Sequence, residues 1–192
     1  YRAQCMLKHP RLSHFHSRAE YLHAGLLEGD PDVISYVPQP FLLRVGARRY
    51  TPDCYVVRRG AGREVLELKP GGQMDAALQD PLTAFFARKG MTFRVVSNES
   101  VFEQQQLAEN WLLIVNVLHQ ARWVDTDTME TRVLEQVWQL DRCQLGDLVD
   151  AGDRDRTYYQ EIALLRLLHR GRLTAPLDSA PLEFNTEITL CG

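Results

Sequence analysis

The stretch Thr51–Pro70, TPDCYVVRRGAGREVLELKP, reads as a hairpin with a mostly apolar body. It nevertheless carries Asp53 near its start and Glu67 and Lys69 near its end. Side chains alternate along a strand, so Glu67 and Lys69 share a face with Val65, while Leu66 and Leu68 take the other. With the turn centred on Ala61, Asp53 lies opposite Lys69 on the neighbouring strand. Directly opposed Cβ atoms stand about 5 Å apart, so Asp53, Glu67 and Lys69 can meet at one end of a sheet; a one-residue slip would separate them. Two carboxylates that close repel each other. A divalent cation removes the conflict, and oxygen donors suit Mg²⁺ or Mn²⁺. Such an ion lowers the pKa of a bound water and neutralises charge developing on a phosphate. A lysine beside it orients or deprotonates the attacking water, or stabilises the pentavalent phosphate. That chemistry hydrolyses phosphodiesters. The other reading of Glu67 and Lys69 is a solvated salt bridge on a surface hairpin. Pro52-Asp53 at the matching distance, with apolar residues flanking both motifs, favours the first.

The elements that must position these residues follow from the pattern around them. SRAEYLHAGLLEGDPD predicts a helix with Ser17 as its cap and Glu20 three residues on, the spacing of a capping box. Leu22, Leu26 and Leu27 form its apolar stripe, and Gly29 with Asp30-Pro31 ends it. QPFLLRV (residues 39–45) predicts a strand. RYTPDCYVVRR and REVLELK predict two more, joined through Gly60-Ala61-Gly62. MDAALQDPLTAFFARKG is helical, with a break or restart at Pro81. MTFRVVSNES is a strand, and VFEQQQLAENWLLIVNVLHQA a long helix with Leu107, Trp111, Ile114 and Leu118 on one face. The order predicts an α/β fold with a mixed sheet flanked by helices over residues 1–123. After the polar junction VDTDT come METRVLEQVWQL, CQLGDLVDAG and DRDRTYYQEIALLRLLHRG, three predicted helices, then RLTAPLDSAPLEFNTEITL. Three helices and a small β-ribbon are the elements of a winged helix, here residues 126–192.

The 192 residues allow one domain and a smaller second one. With 45% hydrophobic and 24% charged residues the composition is that of a soluble globular chain. No apolar run is long enough to span a membrane. The start, YRAQCMLKHP, has no signal-peptide core and no initiator Met, which points to a piece of a longer chain. Cys5, Cys54, Cys143 and Cys191 form no CxxC pair, which argues against a zinc site or a disulfide framework and fits a reducing cytoplasm. A net charge of −3 gives no support for broad electrostatic binding to nucleic acid.

Pro52-Asp53 followed by Glu67-Leu68-Lys69 matches the PD-(D/E)xK nuclease signature. Together with SRAE, QPFLLRV, RYTPDCYVV, EVLELKP and AENWLLIVNVL, it resembles the TnsA-like endonuclease subunit of heteromeric transposases over about the first two thirds of the chain. The resemblance implies a restriction-endonuclease-like fold and a metal-dependent endonuclease of the bacterial cytoplasm that cuts one strand at each transposon end. It implies Glu20 as a further catalytic carboxylate, so that Glu20, Asp53 and Glu67 hold Mg²⁺ or Mn²⁺ and Lys69 assists. Some relatives of this type carry Gln at the Glu67 position. It also implies a DDE-type transposase partner and an AAA+ regulator docking on the C-terminal domain. A restriction, repair or phage nuclease, or a non-catalytic adaptor on the same fold, are the alternative readings.

Arg44, Arg48, Arg49, Arg58, Arg59 and Arg63 surround Asp53 in sequence and are candidates to hold DNA phosphates without reading bases. From Thr126 to Gly192, seven basic residues face twelve acidic ones, a balance of −5 that leaves about +2 to the first region. A winged helix that binds duplex strongly should be basic, so the second region reads as docking on protein or as using only a narrow basic stripe; Arg154, Arg156 and Thr157 are its best DNA candidates, and a charged capping turn is the favoured reading of them. His14, His16 and His23 lie near Glu20 but lack a standard ligand spacing. Trp111, Trp123 and Trp138 sit among apolar residues and read as core. Gly71-Gly72 is a turn, with no Walker lysine after it.

Overall fold

A computed structural model describes every residue except Tyr1, Pro10, Asp141 and Gly192. The chain divides into two compact units, Tyr1–Gln105 and Gln106–Gly192.

In the first unit, strands β1 (Arg2–Cys5) and β2 (Leu12–Phe15) form an antiparallel hairpin that precedes helix α1 (Arg18–Gly29). β3 (Val33–Pro38) follows, then the short hairpin of β4 (Leu43–Val45) and β5 (Arg48–Tyr50), then β6 (Cys54–Arg58) and β7 (Gly62–Lys69). Helix α2 (Ala76–Arg88) leads to β8 (Met91–Ser97) and the short helix α3 (Asn98–Glu103). The sheet order is β3-β6-β7-β8, with β7 and β8 parallel and the other pairs antiparallel. A mixed sheet flanked by helices is therefore present. Val65 on one face joins Leu82, Phe86, Phe93 and Tyr50 in a core under α2. Leu66 and Leu68, on the opposite face, are buried as well.

Several expected elements differ. The strand expected at residues 39–45 shrinks to β4, which pairs with β5 outside the main sheet. One edge of the sheet is β3, an apolar run that the flanking Asp30-Pro31 and Pro38 obscured. Pro38 and Pro40 carry no amide hydrogen, so the chain between them and Phe41 cannot continue a ladder. RYTPDCYVVRR is two strands, β5 and β6, divided around Pro52. Helix α2 runs through Pro81 without a restart; Leu82 and Phe86, each 1% exposed, anchor the turns that follow the missing hydrogen bond. The long helix is interrupted at Gln104, which separates α3 from α4 (Gln105–Gln120).

In the second unit, α4 carries buried Trp111, Ile114, Val115 and Leu118. Asn110 of α4 bonds to the Leu177 and Ala180 carbonyls, and Arg166 reaches the Ala121 carbonyl. These contacts draw α4 into the second unit, so the division falls at residues 105/106 rather than at the polar junction near residue 124. α5 (Asp127–Gln139) and α7 (Tyr158–His169) pack antiparallel, as the pairs Glu130–Arg170 and Gln136–Gln160 require. Between them, only Leu145–Leu148 of CQLGDLVDAG is helical (α6), preceded by β9 (Cys143–Gln144). β10 (Leu173–Thr174) and β11 (Glu187–Leu190) complete a three-stranded antiparallel sheet in the order β10-β11-β9.

Trp111 is 8% exposed and belongs to the core, but Trp123 and Trp138 are 85% and 75% exposed. Val133 and Val137 define the buried stripe of α5, and Trp138 is turned about 100° from it. Trp123 lies beyond the end of α4, with the Arg122 guanidinium 5.3 Å from its ring centroid. Among the described residues, no helix is long and apolar enough to cross a membrane.

Candidate active site

β7 is held on both sides, antiparallel to β6 up to Leu66 and parallel to β8 up to Ser97. Its last residues therefore project from a rigid sheet end. The strand stops sharply after Lys69 in the turn Pro70–Gly72, where Gly71 and Gly72 take φ near +64° and +63°. The Gly71 amide donates to Glu99 Oε2 at 2.8 Å, and a Cβ on Gly72 would stand 3.1 Å from that of Ser97. Glycine is required there by both conformation and space.

The hairpin turn centres on Gly60, not on Ala61. Arg58 pairs with Gly62 and Cys54 with Leu66, which sets Asp53 opposite Glu67 rather than Lys69. Gly60 and Gly62, at φ +73° and +83°, supply the left-handed residues of this turn. The difference moves Asp53 by two positions along β7, which preserves the face. Asp53 lies immediately before the first residue of β6. There its carboxylate replaces the missing strand partner: Oδ2 accepts from the Leu68 amide at 2.7 Å. The Asp53 carbonyl in turn accepts from the amide of Gln39, which has a left-handed φ of 45°.

Glu67 is 4% exposed. Its Oε1 lies 2.7 Å from Lys69 Nζ, and its Oε2 accepts from the Tyr50 hydroxyl at 2.5 Å. The hydrogen bond from Lys69 to Glu67 raises the lysine above its ordinary pKa; burial opposes the rise, and the charges of Glu67, Asp53 and Glu20 add to it. Burial pushes Asp53 up to about 6; Glu67 and Glu20 add to the rise, and the Leu68 amide and Lys69 oppose it. Glu20, Asp53, Glu67 and Lys69 thus form one electrostatic group at the end of the sheet.

Glu20 also caps its helix. Its amide donates to Ser17 Oγ at 3.1 Å, the Ser17 hydroxyl donates to Glu20 Oε1 at 2.9 Å, and Oε2 accepts from the His16 amide at 3.2 Å. Among the described residues, no group of three or more His, Cys, Asp or Glu side chains is disposed to hold a metal ion. Glu20, Asp53 and Glu67 therefore do not meet as a ready-made ligand cage. The donor set still suits a hard cation. Both carboxylates nearest Lys69 are half or fully buried, offer only oxygen, and lie where added positive charge relieves the cost of ionising Asp53.

The six arginines do not form one cluster. Arg44, Arg48 and Arg49 lie on the β4–β5 hairpin, whose Tyr50 touches Glu67. Arg58, Arg59 and Arg63 flank the Gly60 turn, about 20 Å from Lys69 at 3.3 Å per residue. Arg58 is engaged by Asp30 and Glu64, and Glu64 also pairs with Arg94 at 3.2 Å. His23 is buried and its pKa falls to about 4, from burial first and then the charges of Arg58 and Arg94. A cavity of about 10 Å³ lies between Glu20, His23, Asp53 and Cys54. In the second unit, Arg154 pairs with Glu161, and Arg156 with Asp150 and Asp153, in keeping with a charged capping turn.

Tyr50 and Gln39 were missed in the sequence. Tyr50 reads as an ordinary strand aromatic, and only its tertiary partner gives it a role. Gln39, between two prolines, carried no signal of its left-handed backbone. In comparison with known proteins, the sequence matches no family model and no curated protein.

Proposed function

We propose that this chain is a Mg²⁺- or Mn²⁺-dependent DNA endonuclease of the PD-(D/E)xK type, with a restriction-endonuclease-like first unit and a winged-helix second unit. The observation that carries the reading is the meeting of Asp53, Glu67 and Lys69, with Glu20 in electrostatic reach, at the open end of a mixed sheet. Asp53 and Glu67 would hold the ion, with Glu20 contributing from α1. The bound ion would supply a water of lowered pKa and charge neutralisation at the scissile phosphate. Lys69, kept protonated by Glu67, is poised to hold a phosphate oxygen or orient the water. Tyr50 fixes the Glu67 carboxylate, and the Leu68 amide fixes Asp53. The order of the second unit's small sheet, β10-β11-β9, with the three helices α5, α6 and α7 that follow α4, supports the winged-helix reading. Its excess of acids suits docking on a protein. The biological setting that fits best is one-strand cleavage at transposon ends beside a DDE-type transposase, with an AAA+ regulator on the C-terminal unit.

A second reading, a non-catalytic adaptor, is favoured by one observation: both oxygens of Glu67 already have partners. Calorimetric titration of Mg²⁺ and Mn²⁺ into wild type and Asp53→Ala, with and without a DNA duplex, separates the two. Binding that Asp53→Ala abolishes supports the nuclease. No binding, even with duplex present, leaves the adaptor.

A further inference from the structure

A cleft of about 220 Å³ opens between the β4–β5 hairpin and α2, lined by Leu43, Arg44, Val45, Pro81, Phe85 and Arg88 among others. Pro81, Phe85 and Arg88 are spaced i, i+4, i+7, so they lie along one face of α2. The opposite wall is the hairpin, where Arg44 and Arg49 are direct cross-strand partners. Like charges directly opposed destabilise a β-pair. Among the described residues, neither of them, nor Arg48 or Arg88, has a carboxylate partner. Of these, Arg44 and Arg88 line the cleft, so unbalanced positive charge stands on each of its two walls, which are otherwise aliphatic and aromatic. Leu43 of this cleft pairs across the hairpin with Tyr50, which bonds to Glu67. One cross-strand pair thus separates the cleft from the candidate active site.

We propose that this cleft is a nucleotide subsite: it takes one base of a single DNA strand against Phe85, while Arg44 and Arg88 hold the flanking phosphates. The inference rests on the nuclease reading of the neighbouring carboxylates and names how a substrate strand is gripped beside them. Aromatic walls stack any base, and guanidinium groups suit phosphate, so the site is tolerant of sequence. A base in a duplex must leave its partner to enter, so single-stranded DNA binds in preference.

The test is equilibrium binding in EDTA, which removes any dependence on metal. Wild type is expected to bind a (dT)₁₂ strand at least about fivefold tighter than an abasic strand of the same length. A 2-aminopurine placed centrally in the strand is expected to be quenched on binding. Phe85→Leu, which keeps an apolar wall without the ring, is expected to remove the preference for bases. Arg44→Ala and Arg88→Ala are expected to weaken both strands and to lower the salt slope by about one each. These arginines are exposed, so the variants fold even if a change at Phe85 does not. Equal binding of (dT)₁₂ and the abasic strand, an unchanged salt slope in both arginine variants, or no DNA binding at all overturns the subsite. Mn²⁺ binding at Asp53 is scored separately. Its loss would remove the nuclease reading and leave the strand-binding result standing, whereas its presence without base preference would remove only the subsite.

Discussion

The Tyr50 hydroxyl donates a 2.5 Å hydrogen bond to Glu67 Oε2, from a hairpin that is not part of the main sheet. The other oxygen of the same carboxylate lies 2.7 Å from Lys69. A buried carboxylate is thereby fixed at both ends, and the orientation of Lys69 depends on a residue nineteen positions earlier in the chain. A hydrogen bond to a charged acceptor contributes about 1.5–3 kcal/mol. Because Glu67 keeps its lysine, Tyr50→Phe is expected to cost about 1.5–2 kcal/mol in urea denaturation, with an unchanged m-value. In the Glu67→Gln background the same change should cost clearly less. An equal cost in both backgrounds would mean that Tyr50 acts through packing alone.

Asp53 gives a pH dependence of definite sign. Its folded pKa, about 6, lies above the ordinary 3.8 because burial and two neighbouring carboxylates oppose ionisation. The stability associated with its protonated form is fully present below about pH 4 and is lost as pH rises through about 6. Asp53→Asn keeps an acceptor for the Leu68 amide but removes the charge. It is expected to stabilise the protein at pH 8 by about 1 kcal/mol after allowance for solvent screening, and to do little at pH 4. Thermal denaturation of both proteins across that range measures it. An equal shift at both pH values would show that the carboxylate is not the cause.

Lys69 and Glu67 are unequally buried, with side chains 39% and 5% exposed. Removing the lysine strands the more deeply buried charge, which costs more than removing the pair. Lys69→Met is expected to destabilise by about 1–2 kcal/mol, the lysine's exposure lowering the usual cost of a broken buried pair. Lys69→Met/Glu67→Gln is expected to recover at least half of that. Chemical denaturation of the four proteins of this cycle provides the test, and an additive result would dismiss the coupling.

Alternation was enough to read Glu67 and Lys69 onto one face with Val65; Glu67 touches both Lys69 and Tyr50, and Tyr50 packs in the cluster of Val65. Ser17 and Gly29 bounded α1 from local chemistry alone. What the sequence hid was non-local. The hairpin register depended on which glycine centres the turn, and Gly60 and Gly62 bracket Ala61 too closely for composition to choose. The sheet edge β3 was masked by prolines on both sides. Trp138 looked like core because its neighbours are apolar, yet helical rotation, not proximity in sequence, decides burial. The arginines near Asp53 in sequence were separated by the length of a strand.

Asn110 shows how the second unit recruits α4, and it supplies the last prediction. The residue is 3% exposed in the middle of the helix, an expensive place for an amide. Nδ2 donates to the carbonyls of Leu177 and Ala180 at 2.7 and 2.8 Å, and Oδ1 accepts from the Leu182 amide at 3.0 Å. Both amide hydrogens and the oxygen are therefore used to close a loop that has no regular structure of its own. Asn110→Ala leaves these backbone groups without their partner and is expected to cost about 2–4 kcal/mol, with fast hydrogen exchange at the Leu182 amide. Asn110→Asp keeps the acceptor but turns a negative charge toward two carbonyl oxygens. At pH 7 it should be at least as damaging as alanine. Protonation restores one donor, so part of the stability should return as pH falls below about 5. An aspartate variant with no such recovery would show that the loop is held by the burial of Leu177 rather than by this amide.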